Sequence, residues 1–169
     1  MKATFFIRIL RLLVILFLQI LVLNQVHLLG YATPLIIGYM MVCFRRGTSR
    51  VALLIWGFIT GFLFDTFSDT AGMASASCTL IAMIQAPLLN SLAPRDASED
   101  FTPCFRAMGF WKYFLFVFIM MLVLHSAFYL LDAFTLANWQ LTLMAIGIGT
   151  LLSTVLVIFI ELLVRSRKV

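Results

Sequence analysis

The twelve Lys and Arg residues of this chain fall into four clusters, and the long stretches between the clusters contain no cation. The clusters are Lys2, Arg8 and Arg11; Arg45, Arg46 and Arg50; Arg95, Arg106 and Lys112; and Arg165, Arg167 and Lys168. Short loops rich in Lys and Arg stay on the cytoplasmic side of a membrane. The pattern therefore predicts an all-α polytopic membrane protein with six transmembrane helices and with both termini in the cytoplasm.

Composition supports a protein that lies in the lipid bilayer. Apolar residues make up 63% of the chain and charged residues 11%, whereas a soluble domain has roughly 45–50% and about 25%. The net charge of +5 would suggest nucleic acid as a partner of a soluble chain. Here membrane orientation and attraction to anionic lipid account for the charge, so we expect no nucleic-acid partner.

The predicted helices occupy nearly the whole chain, which therefore forms a single domain over residues 1–169. A bilayer core about 30 Å thick needs about 20 helical residues. The six predicted helices cover residues 12–29, 31–44, 50–67, 71–92, 110–131 and 139–164.

The first two predicted helices leave alternatives open. The second is short, and a re-entrant hairpin would place the cluster at Arg45 outside against the charge rule, so we interpret it as a crossing. Pro34 suits its first turn. The basic N-terminus followed by an apolar run also imitates a signal peptide, but no soluble domain follows, which favours an uncleaved helix.

Two glycines and an aspartate mark one face of the third predicted helix. Gly57, Gly61 and Asp65 are spaced by four residues, which places them in a stripe along the helix. Glycines allow a second helix to approach closely in lipid. The stripe predicts either packing inside this protein, against the fourth or sixth helix, or contact with another protein.

Polar residues near or inside the apolar helices are the remaining candidates for function. Asp65 lies in the last turn of its helix, where it either reaches outer water or makes a functional contact. We expect Asp69 to cap the fourth helix and Gln19 to form a hydrogen bond with a neighbouring helix. Glu161 is placed to pair with Arg165 four residues later.

His125 and Asp132 share a face of the fifth predicted helix. Their spacing of seven residues separates them by about 10.5 Å along the helix axis, so they cannot touch directly. We expect His125 to be a packing residue, with a functional pairing of His125 and Asp132 as the alternative.

No motif for catalysis or for a cofactor is present in the sequence. The chain has no HExxH, Walker loop or GxSxG pattern. Its three cysteines form no CxxC pair, which predicts free thiols and no metal site.

These features together resemble the MreD family, the small rod shape-determining membrane proteins of bacteria. The resemblance covers essentially the whole chain. It rests on length, on the six-crossing plan, on Leu18-Gln19 and above all on the pattern Gly57, Gly61, Asp65 and Gly72. The short second helix, the Phe-rich fifth helix and the acidic inner loop match no family pattern.

The resemblance implies a non-enzymatic protein of the bacterial inner membrane that belongs to the cell-elongation machinery and supports peptidoglycan synthesis. The implied partners are an MreC-like membrane-anchored protein, the RodA glycan polymerase, a penicillin-binding transpeptidase and, indirectly, the MreB filament. The implied fold is similar to the substrate-binding subunits of energy-coupling-factor vitamin transporters. On this interpretation the glycine stripe and neighbouring small residues form a groove for the membrane anchor of the MreC-like protein.

Two other functions remain open at this point. One is a substrate-binding subunit of a vitamin or micronutrient transporter, although residues 12–29 lack the small residues typical of its docking helix. The other is an aspartate-dependent membrane peptidase, since Asp65, Asp69 and Asp132 are predicted on the same side and paired carboxylates can divide acid and base roles. The Asn/Gly-rich motif of lipoprotein signal peptidases is missing.

The predicted topology can be tested by thiol labelling. Cys104 lies in a predicted cytoplasmic loop, so a membrane-impermeant thiol reagent should not label it in intact cells. A cysteine introduced at Asp69 or Asn138 should be labelled, because both positions lie in predicted outer loops. Labelling of Cys104 without permeabilisation would overturn the orientation.

Overall fold

The computed structural model describes residues 2–21, 33–94, 96–133 and 139–166, and these residues form helices without any β-strand among them. In chain order the helices are α1 (Lys2–Leu21), α2 (Tyr39–Val42), α3 (Arg50–Ser68), α4 (Met73–Leu92), α5 (Phe105–Met108), α6 (Phe110–Asp132) and α7 (Trp139–Ser166).

Four of these helices are long and apolar enough to cross a membrane. They are Arg50–Ser68, Met73–Leu92, Phe110–Asp132 and Trp139–Val164, and their bounds lie within a residue or two of the predicted helices. The prediction of an all-helical protein with membrane-spanning helices is confirmed to this extent. Six crossings, and the side on which the termini lie, stay predictions.

The outer surfaces of the long helices are apolar. On α3, Phe58 and Phe62 are about half exposed, and on α7, Val155 and Phe159 are more than half exposed. Monomeric soluble proteins rarely expose contiguous apolar patches larger than a few hundred Å². These surfaces are suited to contact with lipid.

The long helices pack in chain order, with α3 against α4, α4 against α6, and α6 against α7. The glycine stripe faces α4. A Cβ atom on Gly57 would lie 2.8 Å from both the Ala82 Cβ and the Cys78 carbonyl oxygen, and one on Gly61 would overlap the Ser75 Cα and the Ala74 carbonyl. The stripe is therefore covered within the protein, and the expected groove for a partner helix cannot lie on it.

Helix α1 begins ten residues before the predicted start at Leu12. Arg8 and Arg11 lie within the helix. An apolar helix tolerates them because long cationic side chains can reach polar surroundings while their stems cover apolar surface. The residues that α1 buries are Leu12, Ile15, Leu16 and Gln19, which have the spacing of one helix face. The predicted end, residues 22–29, lies outside the described residues.

The prediction of a helix over residues 31–44 is wrong for most of its described part. Residues 33–38 are not helical, and α2 has only four residues, Tyr39–Val42. We call residues 33–44 the buried segment, because ten of these residues are buried, among them Leu35, Ile36 and Ile37. Pro34 lacks an N–H group and fixes its own φ angle, while side chains of other helices bond the nearby backbone.

The buried segment runs through the bundle between its two ends. At its start, the Thr33 N–H donates to the Tyr129 hydroxyl at 2.9 Å, and Tyr129 lies in the last turn of α6. At its end, the Arg8 guanidinium stacks on the Phe44 ring, with 4.8 Å from Cζ to the ring centroid. Gln19, near the end of α1, donates to the Pro34 carbonyl at the start of the segment, so the segment is antiparallel to α1.

The loops at the Arg8 end contact one another. Arg45 forms an ion pair of 2.8 Å with Asp100, and the Gly47 N–H donates to the Glu99 carbonyl at 2.8 Å. Arg46 donates from Nε to the Asn90 side-chain oxygen at 2.8 Å. The loop before α3 and the loop after α4 therefore form one polar end of the molecule.

Substitution of Gly61 by Ala should destabilise the fold, because the new methyl group would meet the α4 backbone, which cannot move as a side chain can. Overpacking of this kind costs about 1–3 kcal/mol. We expect a lower midpoint of thermal unfolding in detergent micelles. Gly147→Ala is the matched control, since nothing lies within 4 Å of its added Cβ. Equal midpoints for the two variants would contradict close packing at Gly61.

Candidate functional site

Asp65 connects the end of α3 to the beginning of α4. Its Oδ1 accepts hydrogen bonds from the Ala74 N–H at 2.9 Å and from the Thr70 hydroxyl at 2.6 Å. Its Oδ2 accepts one from the Ser75 N–H at 2.8 Å. The first N–H groups of a helix have no partner within the helix, and a negative charge is favourable beside them. Both oxygens of this buried carboxylate therefore cap α4.

The turn between α3 and α4 places the Asp65 carboxylate at α4. Asp69 has a left-handed conformation with φ 54°, and its N–H donates to the Asp65 carbonyl. Gly72 also has a positive φ, 84°, which glycine adopts without the steric cost of a Cβ. The expectation that Asp69 caps the fourth helix is wrong, because Asp69 ends α3 and Asp65 provides the cap.

The four residues of the sequence pattern thus serve one structural unit, the α3–α4 hairpin. Gly57 and Gly61 allow the two backbones to approach, Asp65 caps α4, and Gly72 permits the turn. Each residue type has a physical reason at its position.

Gln19 holds the backbone of the buried segment from α1. Its Nε2 donates to the Pro34 carbonyl at 2.9 Å, and its Oε1 accepts from the Ile36 N–H at 2.7 Å. The side chain is completely buried. The expected hydrogen bond of Gln19 is formed, but with a non-helical backbone, to which the amide presents both a donor and an acceptor.

His125 holds the same segment from α6. Its Nδ1 lies 2.8 Å from the Met121 carbonyl, which can only accept, so Nδ1 carries the proton and Nε2 is an acceptor. Nε2 lies 3.2 Å from the Ser153 hydroxyl and 3.4 Å from the Leu35 N–H. On α7, a Cβ on Gly149 would lie 2.6 Å from His125 Cδ2, so this glycine gives the imidazole its space.

Two further side chains bind the end of the buried segment. Gln85 of α4 donates from Nε2 to the Phe44 carbonyl at 3.3 Å. The Tyr39 hydroxyl donates to Glu161 Oε2 of α7 at 2.6 Å, and Glu161 is buried. The side chain of Arg165, the predicted partner of Glu161, lies outside the described residues.

Sequence reasoning missed this set of polar contacts. It treated Gln19 and His125 separately and gave Gln85 no role, although each is a polar residue in an apolar helix. The sequence did contain a signal: these polar residues occur in a chain whose second apolar segment is too short for a spanning helix and contains Pro34. Such polar side chains can satisfy a backbone that has no helical hydrogen bonds.

The described polar groups do not form a catalytic arrangement open to solvent. Ser153 and His125 resemble a nucleophile and its base in type, but both side chains are completely buried. Asp69 and Asp132 are exposed, and Asp65 accepts three hydrogen bonds. In the described ranges no group of three His, Cys, Asp or Glu residues could hold a metal ion, and no disulfide joins Cys43, Cys78 and Cys104.

A shallow groove lies between α3 and α4 on the surface of the bundle. Its volume is about 440 Å³. Small side chains and larger apolar ones line it: Leu54, Phe58, Ser75, Ala76, Thr79, Leu80 and Met83. Most of these residues are exposed, so the groove is open to whatever surrounds the bundle.

Comparisons of the chain with protein-family models, with curated proteins and with solved structures gave no match.

Removing one carboxylate oxygen of Asp65 should weaken the α4 cap. In Asp65→Asn one oxygen is replaced by an NH2 group, which cannot accept, so one of the backbone N–H groups loses its partner. In Asp65→Leu both backbone N–H groups lose their hydrogen-bond partner. A lost cap costs about 0.5–2 kcal/mol, and we expect thermal midpoints in the order wild type, Asn, Leu.

The control for this series is Asp132→Asn, which removes a charge from an exposed side chain at the end of α6. Its midpoint should equal that of the wild type. An unchanged midpoint for Asp65→Leu would show that the cap does not stabilise the hairpin.

Proposed function

We propose that this protein is a non-enzymatic membrane scaffold of the bacterial cell-elongation machinery, similar to MreD. It lies in the cytoplasmic membrane as a multi-pass protein, binds an MreC-like membrane-anchored protein and supports peptidoglycan synthesis. RodA, a penicillin-binding transpeptidase and, indirectly, the MreB filament are its further partners.

The observation that carries the proposal is the joint structural role of the pattern residues in the α3–α4 hairpin. Gly57, Gly61, Asp65 and Gly72 are the residues on which the resemblance to MreD mainly rests. Their contacts give each of them a role in holding two helices together, which supports a structural role for the pattern. None of these roles involves proton transfer or a bound substrate.

The polar groups of the interior support a non-enzymatic role. Asp65 is the carboxylate on which a peptidase would depend, and both of its oxygens accept from donors of the hairpin. A catalytic carboxylate must reach the group whose proton it exchanges. Asp65 contributes instead to the stability of the hairpin.

The proposed topology has six crossings. The buried segment forms the second crossing, although it is mostly non-helical, because its backbone is enclosed by protein as membrane depth requires. It returns the chain from the Tyr129 end to the Arg8 end, so Arg8 and Arg45 lie on one side. We assign that side to the cytoplasm on the charge rule.

The α3–α4 groove is our candidate for the partner's binding surface. The glycine stripe is covered by α4, whereas the groove is open and has the small residues Ser75, Ala76 and Thr79 in its lining. Small residues allow close contact between helices in lipid. We place the single membrane anchor of the MreC-like partner in this groove, between the larger side chains of Phe58 and Met83.

Filling the groove should weaken partner binding without unfolding the protein. Ala76 is exposed, so Ala76→Leu adds bulk where only the partner helix would be displaced. Overpacking costs about 1–3 kcal/mol, and recovery of the MreC-like partner and the transpeptidase in a pull-down should fall about tenfold. Gly147→Leu, which adds bulk to an exposed position of α7, should not change recovery.

The amount of each variant in the membrane is measured in parallel, so that loss of protein is not mistaken for loss of binding. Equal recovery for Ala76→Leu and wild type would remove the groove from the proposal. Failure of the wild type to recover either partner would overturn the function. Thermal stabilisation by a water-soluble vitamin would favour the transporter subunit instead.

A further inference from the structure

An arginine of α1 is fixed on an aromatic ring of the buried segment. The Arg8 guanidinium lies over the Phe44 ring with its Cζ 4.8 Å from the centroid, and Phe44 is itself buried. A guanidinium stacked on a ring keeps its N–H groups free for other partners. Arg8 therefore has a fixed position, and its N–H groups form no hydrogen bond with the part of the chain that the structure describes.

The charge around Arg8 is not balanced by protein. Arg11 and Arg45 lie close enough to repel Arg8, and neither Arg8 nor Arg11 forms an ion pair with a carboxylate of the described residues. Arg45 pairs with Asp100, whose side chain is 88% exposed. Among the described residues, a carboxylate pairs with Arg45 but not with Arg8 or Arg11, and repulsion between like charges is stronger near a protein surface than in bulk water.

We propose that Arg8, Arg11 and Arg45 bind the phosphate of an anionic phospholipid headgroup at this end of the bundle. A guanidinium group presents a planar fork of donors that matches phosphate oxygens. The bound phosphate supplies the negative charge that the protein lacks, and it joins α1 to the loop before α3.

The surroundings of the three arginines select a lipid over a soluble anion. Ile7 and Leu10, which flank Arg8 along α1, are more than half exposed, and so is Val51 near the start of α3. Cations beside exposed apolar side chains provide both parts of a lipid site, one for the headgroup and one for the acyl chains. Basic pockets at the cytoplasmic ends of membrane helices bind anionic headgroups in this way.

The inference depends on the position of the bundle in a membrane and not on a role in cell elongation. It would hold for a transporter subunit with the same fold. Its test therefore uses purified protein and measures no partner of the elongation machinery.

The test compares lipid-dependent stabilisation in detergent micelles. Phosphatidylglycerol should raise the thermal midpoint of the wild type more than phosphatidylcholine does at the same mole fraction. Arg8→Gln should weaken the apparent affinity for phosphatidylglycerol about tenfold, since a hydrogen bond to a charged group contributes about that factor or more. Arg8→Lys keeps the positive charge but loses the planar fork of guanidinium donors, so its affinity for phosphatidylglycerol should lie between those of the wild type and Arg8→Gln.

Arg106→Gln is the matched control, because it removes the same charge from an exposed residue of α5 and should bind phosphatidylglycerol as the wild type does. The measured quantity is the change in thermal midpoint that lipid causes in each variant. Any loss of stability from the missing ring contact lowers the midpoint with and without lipid and therefore cancels. Equal shifts for Arg8→Gln and Arg106→Gln would overturn the site. Equal stabilisation by inorganic phosphate, without lipid, would overturn the assignment to a phospholipid.

Discussion

The architecture depends on satisfying the backbone of a non-helical segment inside an apolar bundle. A backbone group without a hydrogen bond costs several kcal/mol in lipid, where no water can replace the missing partner. Residues 33–44 avoid part of this cost through side chains from other helices. Gln19 bonds the backbone at Pro34 and Ile36, Tyr129 and His125 bond it at the start of the segment, and Gln85 bonds the Phe44 carbonyl.

These contacts explain why polar residues are tolerated in helices that are otherwise apolar. Gln19, Gln85 and His125 are each almost fully buried, and each is bonded to the buried segment. Because they come from α1, α4 and α6, the segment has contacts with three helices that are distant in sequence. Removing one of these side chains would leave a backbone donor or acceptor without a partner, a loss of about 1–3 kcal/mol.

The α3–α4 hairpin is built on local contacts instead. Asp65 bonds residues five to ten positions later, and Gly57 and Gly61 contact the helix that follows in the chain. This local character is why its helices and the alignment of its glycines could be predicted from spacing. Spacing could not predict whether Asp65 or Asp69 caps α4. That choice depends on the left-handed conformation of Asp69, which spacing does not reveal.

The remaining differences between the predicted and the observed helices depend on contacts between residues that are distant in sequence. Apolar composition places residues 31–44 in the membrane, but composition does not distinguish a membrane-spanning helix from a non-helical chain buried among other helices. That distinction depends on Gln19 and His125, which lie far away in sequence. The start of α1 was predicted at Leu12, after the cations of the N-terminus, whereas Arg8 lies within the helix and over the ring of Phe44.

The contacts of the buried segment also impose an order on biogenesis. A chain is synthesised from its N-terminus at about 5–20 residues per second, so Pro34 and Leu35 leave the ribosome well before His125, Tyr129 and Glu161. Gln19 is the partner that is already present. The turn of the α3–α4 hairpin, where Asp65 bonds Thr70, Ala74 and Ser75, can form as soon as the hairpin is made. The buried segment is therefore among the last parts of the bundle to reach its final conformation, and the insertion machinery must tolerate its unsatisfied backbone until α6 and α7 arrive.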